Sequence, residues 1–228
     1  MLGTLGVVLA GTSCRADDGE VGSLPAGFVR LAEVAPTVQQ EPRYATADNF
    51  VGEPIHGYEA PTVVLTVPAA QSLRAVQQAL LEQGLSLKVF DAYRPQRAVL
   101  HFVRWARDED DQRTKATYYP DVPKAELFER GYIALESGHS RGSTVDVSLL
   151  RRVADGTWQE LPMGTPFDFF GPESASSSEA VSAEAQANRK RLRAVMEKHG
   201  WIAYEAEWWH FTLRDEPYPE TYFDFVVR

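Results

Sequence analysis

The sequence predicts an α+β fold, a small central antiparallel sheet flanked by helices. Two observations carry that expectation. Apolar residues recur at helical spacing in three separate stretches, and runs rich in β-branched and aromatic residues stand between and after them.

In chain order, the fold is expected to begin near Phe28, after a polar, Gly-rich tether over residues 15–27. "PAAQSLRAVQQALLEQGL" places Leu73, Val76, Leu80 and Leu81 on one helical face, with Gly84 as the stop. "LSLKVFDAYRP" follows as a strand that Pro95 terminates, so Arg94 sits at a strand end. A second helix, "QRAVLHFVRWARDED", carries Val99, Phe102, Val103 and Ala106 along one side. "STVDVSLL" reads as a strand, and the Ser-rich "ESASSSEAVSAEAQ" as a surface loop leading into a helix. That helix, "ANRKRLRAVMEKHG", has Leu192, Val195 and Met196 on its apolar side and His199-Gly200 at its end. The aromatic run "WIAYEAEWWHFTL" is the last strand candidate. Residues 28–228 are expected to form one domain.

Composition excludes several function classes. The balance of 23 Lys+Arg against 32 Asp+Glu, net charge −9, contains no basic cluster interleaved with aromatics, so nucleic acid is not an expected partner. No apolar run approaches the roughly 20 residues of a membrane span. A single cysteine, Cys14, leaves no intrachain disulfide framework and no Cys-rich zinc site. The first thirteen residues are uncharged and end in small residues, with "GTSC" where a signal peptidase would cut. This start resembles a short bacterial lipoprotein signal, which implies a lipid anchor at Cys14 and export. The alternative is an arbitrary apolar start on a cytoplasmic protein.

The chemistry concentrates in two places. Catalytic zinc sites typically use three ligands drawn from His and carboxylate, with a fourth position for water. "HSRGSTVD" supplies His139 and, seven residues on, Asp146; "EAEWWHF" supplies His210 with Glu207 three residues before it. These are candidates for metal ligands at the sheet, with a candidate base beside one of them. Residues three apart on a regular strand face opposite sides, so Glu207 and His210 can serve one metal only if the chain bends or bulges between them. That irregularity is predicted near Glu207. Gly142 suggests a turn before Asp146 enters its strand, so that His139 comes from a loop.

The pattern Ser-x-His-x-x-Gly-x-x-x-Asp over residues 137–146, Glu-Trp-Trp-His over 207–210 and "DAYRP" over 91–95 resemble the D-Ala-D-Ala dipeptidases of the VanX type, in the M15 zinc peptidases. "YATADNFVG" from Tyr44 and "MGTPFDFF" from Met163 are similar to that family's segments too, with Ala47 where the family usually carries Trp. The resemblance implies one zinc ion per chain on His139, Asp146 and His210, Glu207 as general base and acid, and Arg94 as the group facing the transition-state oxyanion. It further implies substrate contacts from Tyr44, Ser137 and Asp168, a free dipeptide substrate, and D-stereochemistry.

Alternative readings accompany each residue. Asp146 could pair with Arg141, Arg94 could fasten a turn through Asp91, and Glu207 could be an ordinary exposed glutamate. His199 suits a helix C-terminus, where positive charge complements the helix dipole, and His56 and His101 suit surface or packing roles. At the level of function, the alternatives are a D,D-carboxypeptidase acting on peptidoglycan peptides and a zinc-containing peptide-binding protein without catalysis.

Overall fold

The computed structural model describes residues 23–228. The signal-like segment and Cys14 lie outside the described residues. Strand β1 (Phe28–Arg30), the single-turn helix α1 (Leu31–Val34), β2 (Gln39–Gln40) and β3 (Val64–Thr66) come first. β1 and β3 pair antiparallel as a separate two-stranded sheet.

Helix α2 (Val67–Leu81) opens with a proline in its first turn, where the missing N–H is tolerated. Its buried side is Ala69, Ala70, Leu73, Val76, Gln77 and Leu80. Leu81, expected on that side, is exposed, and Gln77 takes the inner position. There its side-chain amide donates to Ser86 Oγ, and its carbonyl oxygen accepts the Leu87 backbone N–H. β4 (Leu85–Asp91) is buried throughout and ends before Arg94, because Pro95 acts as the N-cap of helix α3 (Gln96–Arg107) and not as the strand's last residue. The expected inner residues of α3, Val99, Phe102, Val103 and Ala106, are all buried. A short helix α4 (Lys115–Tyr118) follows.

β5 (Thr144–Arg152) is the centre of the main sheet, with its first seven residues buried. β4 pairs along one edge; the other edge is shared by β6 (Trp158–Glu160) near its C-terminal end and β8 (His210–Leu213) near its start. Helix α5 (Ala183–Lys198) lies between them in the chain, and its N-cap Ser182 accepts the Ala185 N–H. It stops at His199, whose Nδ1–H donates to the Val195 carbonyl at 2.7 Å, and at Gly200 in the left-handed region. The aromatic run is not one strand but a hairpin, β7 (Trp201–Ala203) and β8. The main sheet runs β2-β4-β5-β8-β7, antiparallel except where two-residue β2 joins β4 in parallel.

α2 packs on β4 and α5, and α5 on β5 and β7, so one layer of helices covers the sheet. Among the described residues no helix is long and apolar enough to cross a membrane. Leu73 is fully buried in α2, away from the clustered polar residues described below. Leu73→Ala is expected to lower unfolding stability by about 2–5 kcal/mol through lost burial and a residual cavity, measured by urea denaturation. A change below the cost of an exposed substitution would show that this layer is not part of the cooperative core.

Candidate active site

Three adjacent strands bring three acidic or imidazole side chains into one row. Asp91 of β4 is the register partner of Asp146 in β5, and Asp146 is in turn the partner of His210, the first residue of β8. An irregularity between Val89 and Asp91 resets the register at this point.

His139 reaches the row from outside the sheet. It stands on a 3-10 turn over Gly138–Arg141, opened by Ser137, whose Oγ accepts the His139 N–H, and closed by Gly142 at φ 81°. A side chain on Gly142 would collide with the Phe28 ring, so glycine is required on two counts. The turn predicted ahead of Asp146 is therefore present.

The ligand-type atoms of His139, Asp146 and His210 all lie within 4.8 Å of one another. His139 Nε2 is 3.3 Å and His210 Nδ1 3.1 Å from Asp146 Oδ1, and the two ring nitrogens are 3.3 Å apart. His139 Nδ1 is 2.7 Å from the Ala92 carbonyl oxygen, which can only accept, so Nδ1 carries the proton. In the neutral ring Nε2 is then a bare lone pair. Burial lowers the His139 pKa, with Arg94 acting the same way, which favours that neutral form. Asp146 Oδ1 is buried without a hydrogen-bond partner among the described residues. A buried carboxylate oxygen and an imidazole lone pair directed at one small space need a cation, and this donor set suits a divalent metal ion.

Glu207 lies in the hairpin connection between β7 and β8. The Glu207 N–H donates to the Tyr204 carbonyl, the Tyr204 N–H to the His210 carbonyl, and the Trp208 N–H to the Ser174 carbonyl. The turn formed this way is the predicted irregularity, and it brings Glu207 Oε2 to 3.5 Å from His210 Nδ1. Burial pushes the Glu207 carboxyl up to about 6, with Asp146 adding to the rise and His210 and Arg94 opposing it. Glu207 is therefore not an ordinary exposed glutamate.

Arg94 follows β4 on an extended segment whose backbone N–H donates to the His139 carbonyl. Its guanidinium lies 2.8 Å from Asp91 Oδ2 and 3.6 Å from Asp146 Oδ2, over the rings of Tyr44 and Phe102. The anticipated Arg94–Asp91 pair thus exists, but the same side chain also faces the cavity. Arg141 pairs with Glu216 at 2.9 Å and not with Asp146.

Tyr44 Oη donates to Asp168 Oδ2 at 2.9 Å, joining residues 124 apart in sequence. Asp168 has φ 62°, among the described residues the one non-glycine residue with positive φ, in the left-handed region that aspartate visits more readily than most residues. Burial raises its carboxyl well above the ordinary carboxylate range, reinforced by Asp146 and Glu207.

All eight residues named from the sequence, Tyr44, Arg94, Ser137, His139, Asp146, Asp168, Glu207 and His210, line one cavity of about 200 Å³. Its apolar walls include Phe50, Phe102, Phe170 and Trp209. Ala47 is exposed and outside this lining. His101 packs on His56 away from the cavity, at 4.2 Å between rings, in keeping with a packing role. Sequence reasoning missed the Ala92 carbonyl that sets the His139 tautomer, and it considered Asp91 only as an ion-pair partner.

The chain is similar in sequence to known proteins. The chain is 43% identical over 202 residues to a D-alanyl-D-alanine dipeptidase of Enterococcus faecium, covering 89% of this chain and 98% of that one. It is 42% identical over 200 residues to the protein of the same name from Streptomyces coelicolor, covering 88% and 98%, and 33% identical over 186 residues to that from Escherichia coli, covering 82% and 84%. The M15 peptidase family profile, described as D-Ala-D-Ala dipeptidase, matches residues 25–228. With that profile spanning nearly all the described residues, the chain belongs to the D-Ala-D-Ala dipeptidase family of M15 peptidases.

Proposed function

We propose that the protein is a zinc-dependent dipeptidase that hydrolyses free D-alanyl-D-alanine to two D-alanines, in bacterial cell-wall peptide metabolism. The observation that carries the reading is the convergence of His139 Nε2, His210 Nδ1 and the unpartnered Asp146 Oδ1, with Glu207 and Arg94 facing the same cavity. These three side chains would hold the ion. When bound, zinc polarises the scissile carbonyl and acidifies water near neutral pH.

The other steps fall to side chains. Glu207, with its carboxyl near 6, takes the proton of the attacking water and delivers it to the departing amine. Arg94 keeps its charge at every working pH and presents N–H donors to the carbonyl oxygen as negative charge grows there. Asp168 supplies the countercharge for the substrate ammonium: burial favours its neutral form, and an incoming cation restores the carboxylate. Tyr44 fixes that carboxylate by its hydrogen bond, and Ser137 adds a polar wall beside His139.

Two methyl side chains offer little apolar binding energy, about 0.8 kcal/mol per buried carbon group. Selection therefore rests on charge placement and exclusion. A cavity of about 200 Å³ is below the roughly 300–1,000 Å³ of sites for drug-sized ligands, which suits a free dipeptide better than a peptidoglycan stem.

The test is D-alanine release from D-Ala-D-Ala, L-Ala-L-Ala and an N-blocked D-Ala-D-Ala. Activity is expected on the free D,D-dipeptide alone, to vanish on chelation and to return with zinc. Preference for the N-blocked substrate would instead indicate a carboxypeptidase. No cleavage of any of the three by folded, zinc-loaded protein would leave a binding role.

A further inference from the structure

Asp91 is a buried carboxylate, 2% exposed, that the proposed chemistry leaves unused. Its Oδ1 accepts the Tyr58 hydroxyl at 2.6 Å, and its Oδ2 accepts both Nε and Nη2 of Arg94, at 2.9 and 2.8 Å. Tyr58 is itself held from two sides. Its backbone bridges to Val227, and its ring lies edge-on to Tyr44 at 5.7 Å.

The consequence for Arg94 is geometric. A guanidinium is a planar fork with five N–H donors. Asp91 engages one edge of that fork, leaving Nη1 free of it. Tyr44 and Phe102, 5.0 and 5.1 Å from the guanidinium carbon, restrain its faces. An arginine held by one edge and its aromatic neighbours can turn donors toward a reacting carbonyl without first losing side-chain freedom, which is what preorganised charge stabilisation requires.

Asp91 also lies 3.4 Å from His139 Nδ1, but that proton is engaged at shorter range by the Ala92 carbonyl at 2.7 Å. The carboxylate's short contacts are with Arg94 and Tyr58.

We propose that Asp91, supported by Tyr58, is a positioning residue that sets the orientation of Arg94 toward the reacting carbonyl while touching neither substrate nor metal. This rests on the reading of Arg94 as the oxyanion's partner. Removing the support is therefore expected to weaken an interaction made in the transition state and to leave substrate binding in place.

A double-mutant cycle tests this. Asp91→Asn, Tyr58→Phe and Arg94→Ala are made singly, and the first two are also combined with Arg94→Ala. For each variant, kcat and KM on D-Ala-D-Ala and zinc content are measured. Asp91→Asn is expected to lower kcat by about ten- to a hundredfold, the scale on which outer partners of metal ligands act, with KM nearly unchanged and zinc stoichiometric. Tyr58→Phe is expected to do the same more weakly. In the Arg94→Ala background neither should cost anything further, because residues acting through one another are not additive.

Independent losses that multiply in the double variants would overturn the proposal, as would loss of zinc in Asp91→Asn, which would mean action through His139. If Asp91→Asn does not fold, the Tyr58→Phe cycle decides by the same criteria. Normal turnover in Arg94→Ala itself would instead refute the role of Arg94, and is read from that single variant alone.

Discussion

Glu207→Gln is expected to keep one zinc ion per chain and the native fold while kcat falls by roughly a hundred- to ten-thousandfold, the range that positioned acid–base catalysis contributes. Glutamine matches the carboxylate in shape, so the hairpin connection that presents position 207 stays intact. Its backbone bonds to Tyr204 and His210 do not involve the side chain. What disappears is the proton acceptor. The metal is expected to be retained because the ligands proposed for it are His139, Asp146 and His210. The burial that lifts the Glu207 carboxyl to about 6 makes it strong enough a base to take a proton and weak enough to return it near neutral pH. The measurement pairs steady-state rates with elemental analysis. Near-normal turnover by a zinc-loaded variant would mean that the base lies elsewhere, while loss of zinc would mean that Glu207 itself helps to hold the ion.

The parts of the fold and site that were legible in the sequence are those written in local spacing. Leu73, Val76 and Leu80 mark a helix because burial repeats with the helical period, and Gly200 marks its partner's end because a left-handed residue follows α5. The break near Glu207 was legible because two residues three apart cannot share a side of a strand. The spacing of Glu207 and His210 marks where the irregularity falls but not its form: residues expected to make one strand form a hairpin, since aromatic content alone does not reveal a reversal of direction. The end of β4 was misplaced because Pro95 signals both a strand stop and a helix start, and the helix uses it.

Contacts between distant segments left no such trace. Tyr58 and Asp91 are 33 residues apart, and Tyr44 and Asp168 are 124 apart. The register that aligns Asp91, Asp146 and His210 depends on strand pairing across most of the chain. The Ala92 carbonyl that accepts the His139 Nδ1–H and so fixes the tautomer is a backbone group, which every residue possesses, so residue identity carries no sign of it. Resemblance to a family pointed to the candidate chemical groups. The structure adds what holds each of them in place.

His210→Ala should have the larger effect, because on the proposed assignment it removes both a ligand and the ion that depends on it. Asp146 Oδ1 would then face His139 Nε2 with no third donor, and two protein ligands do not complete a catalytic zinc site. Turnover should fall to background. Lewis-acid polarisation supplies several kcal/mol of transition-state stabilisation, and each 1.4 kcal/mol or so is tenfold in rate. The more discriminating readout is thermal. Zinc that binds only the folded state stabilises it by about 4 kcal/mol at a thousandfold excess over Kd, so the unaltered protein should gain Tm on zinc addition and His210→Ala should not. The variant is also expected to be less stable than the metal-free parent, since the Asp146 carboxylate, which remains buried, loses the electrostatic attraction of the imidazole 3.1 Å away. Loss of the zinc-induced rise together with loss of activity identifies His210 as a ligand. Stoichiometric zinc in a folded His210→Ala protein would reject that assignment whatever happened to turnover, because a residue needed only for catalysis has no reason to change how the ion stabilises the fold.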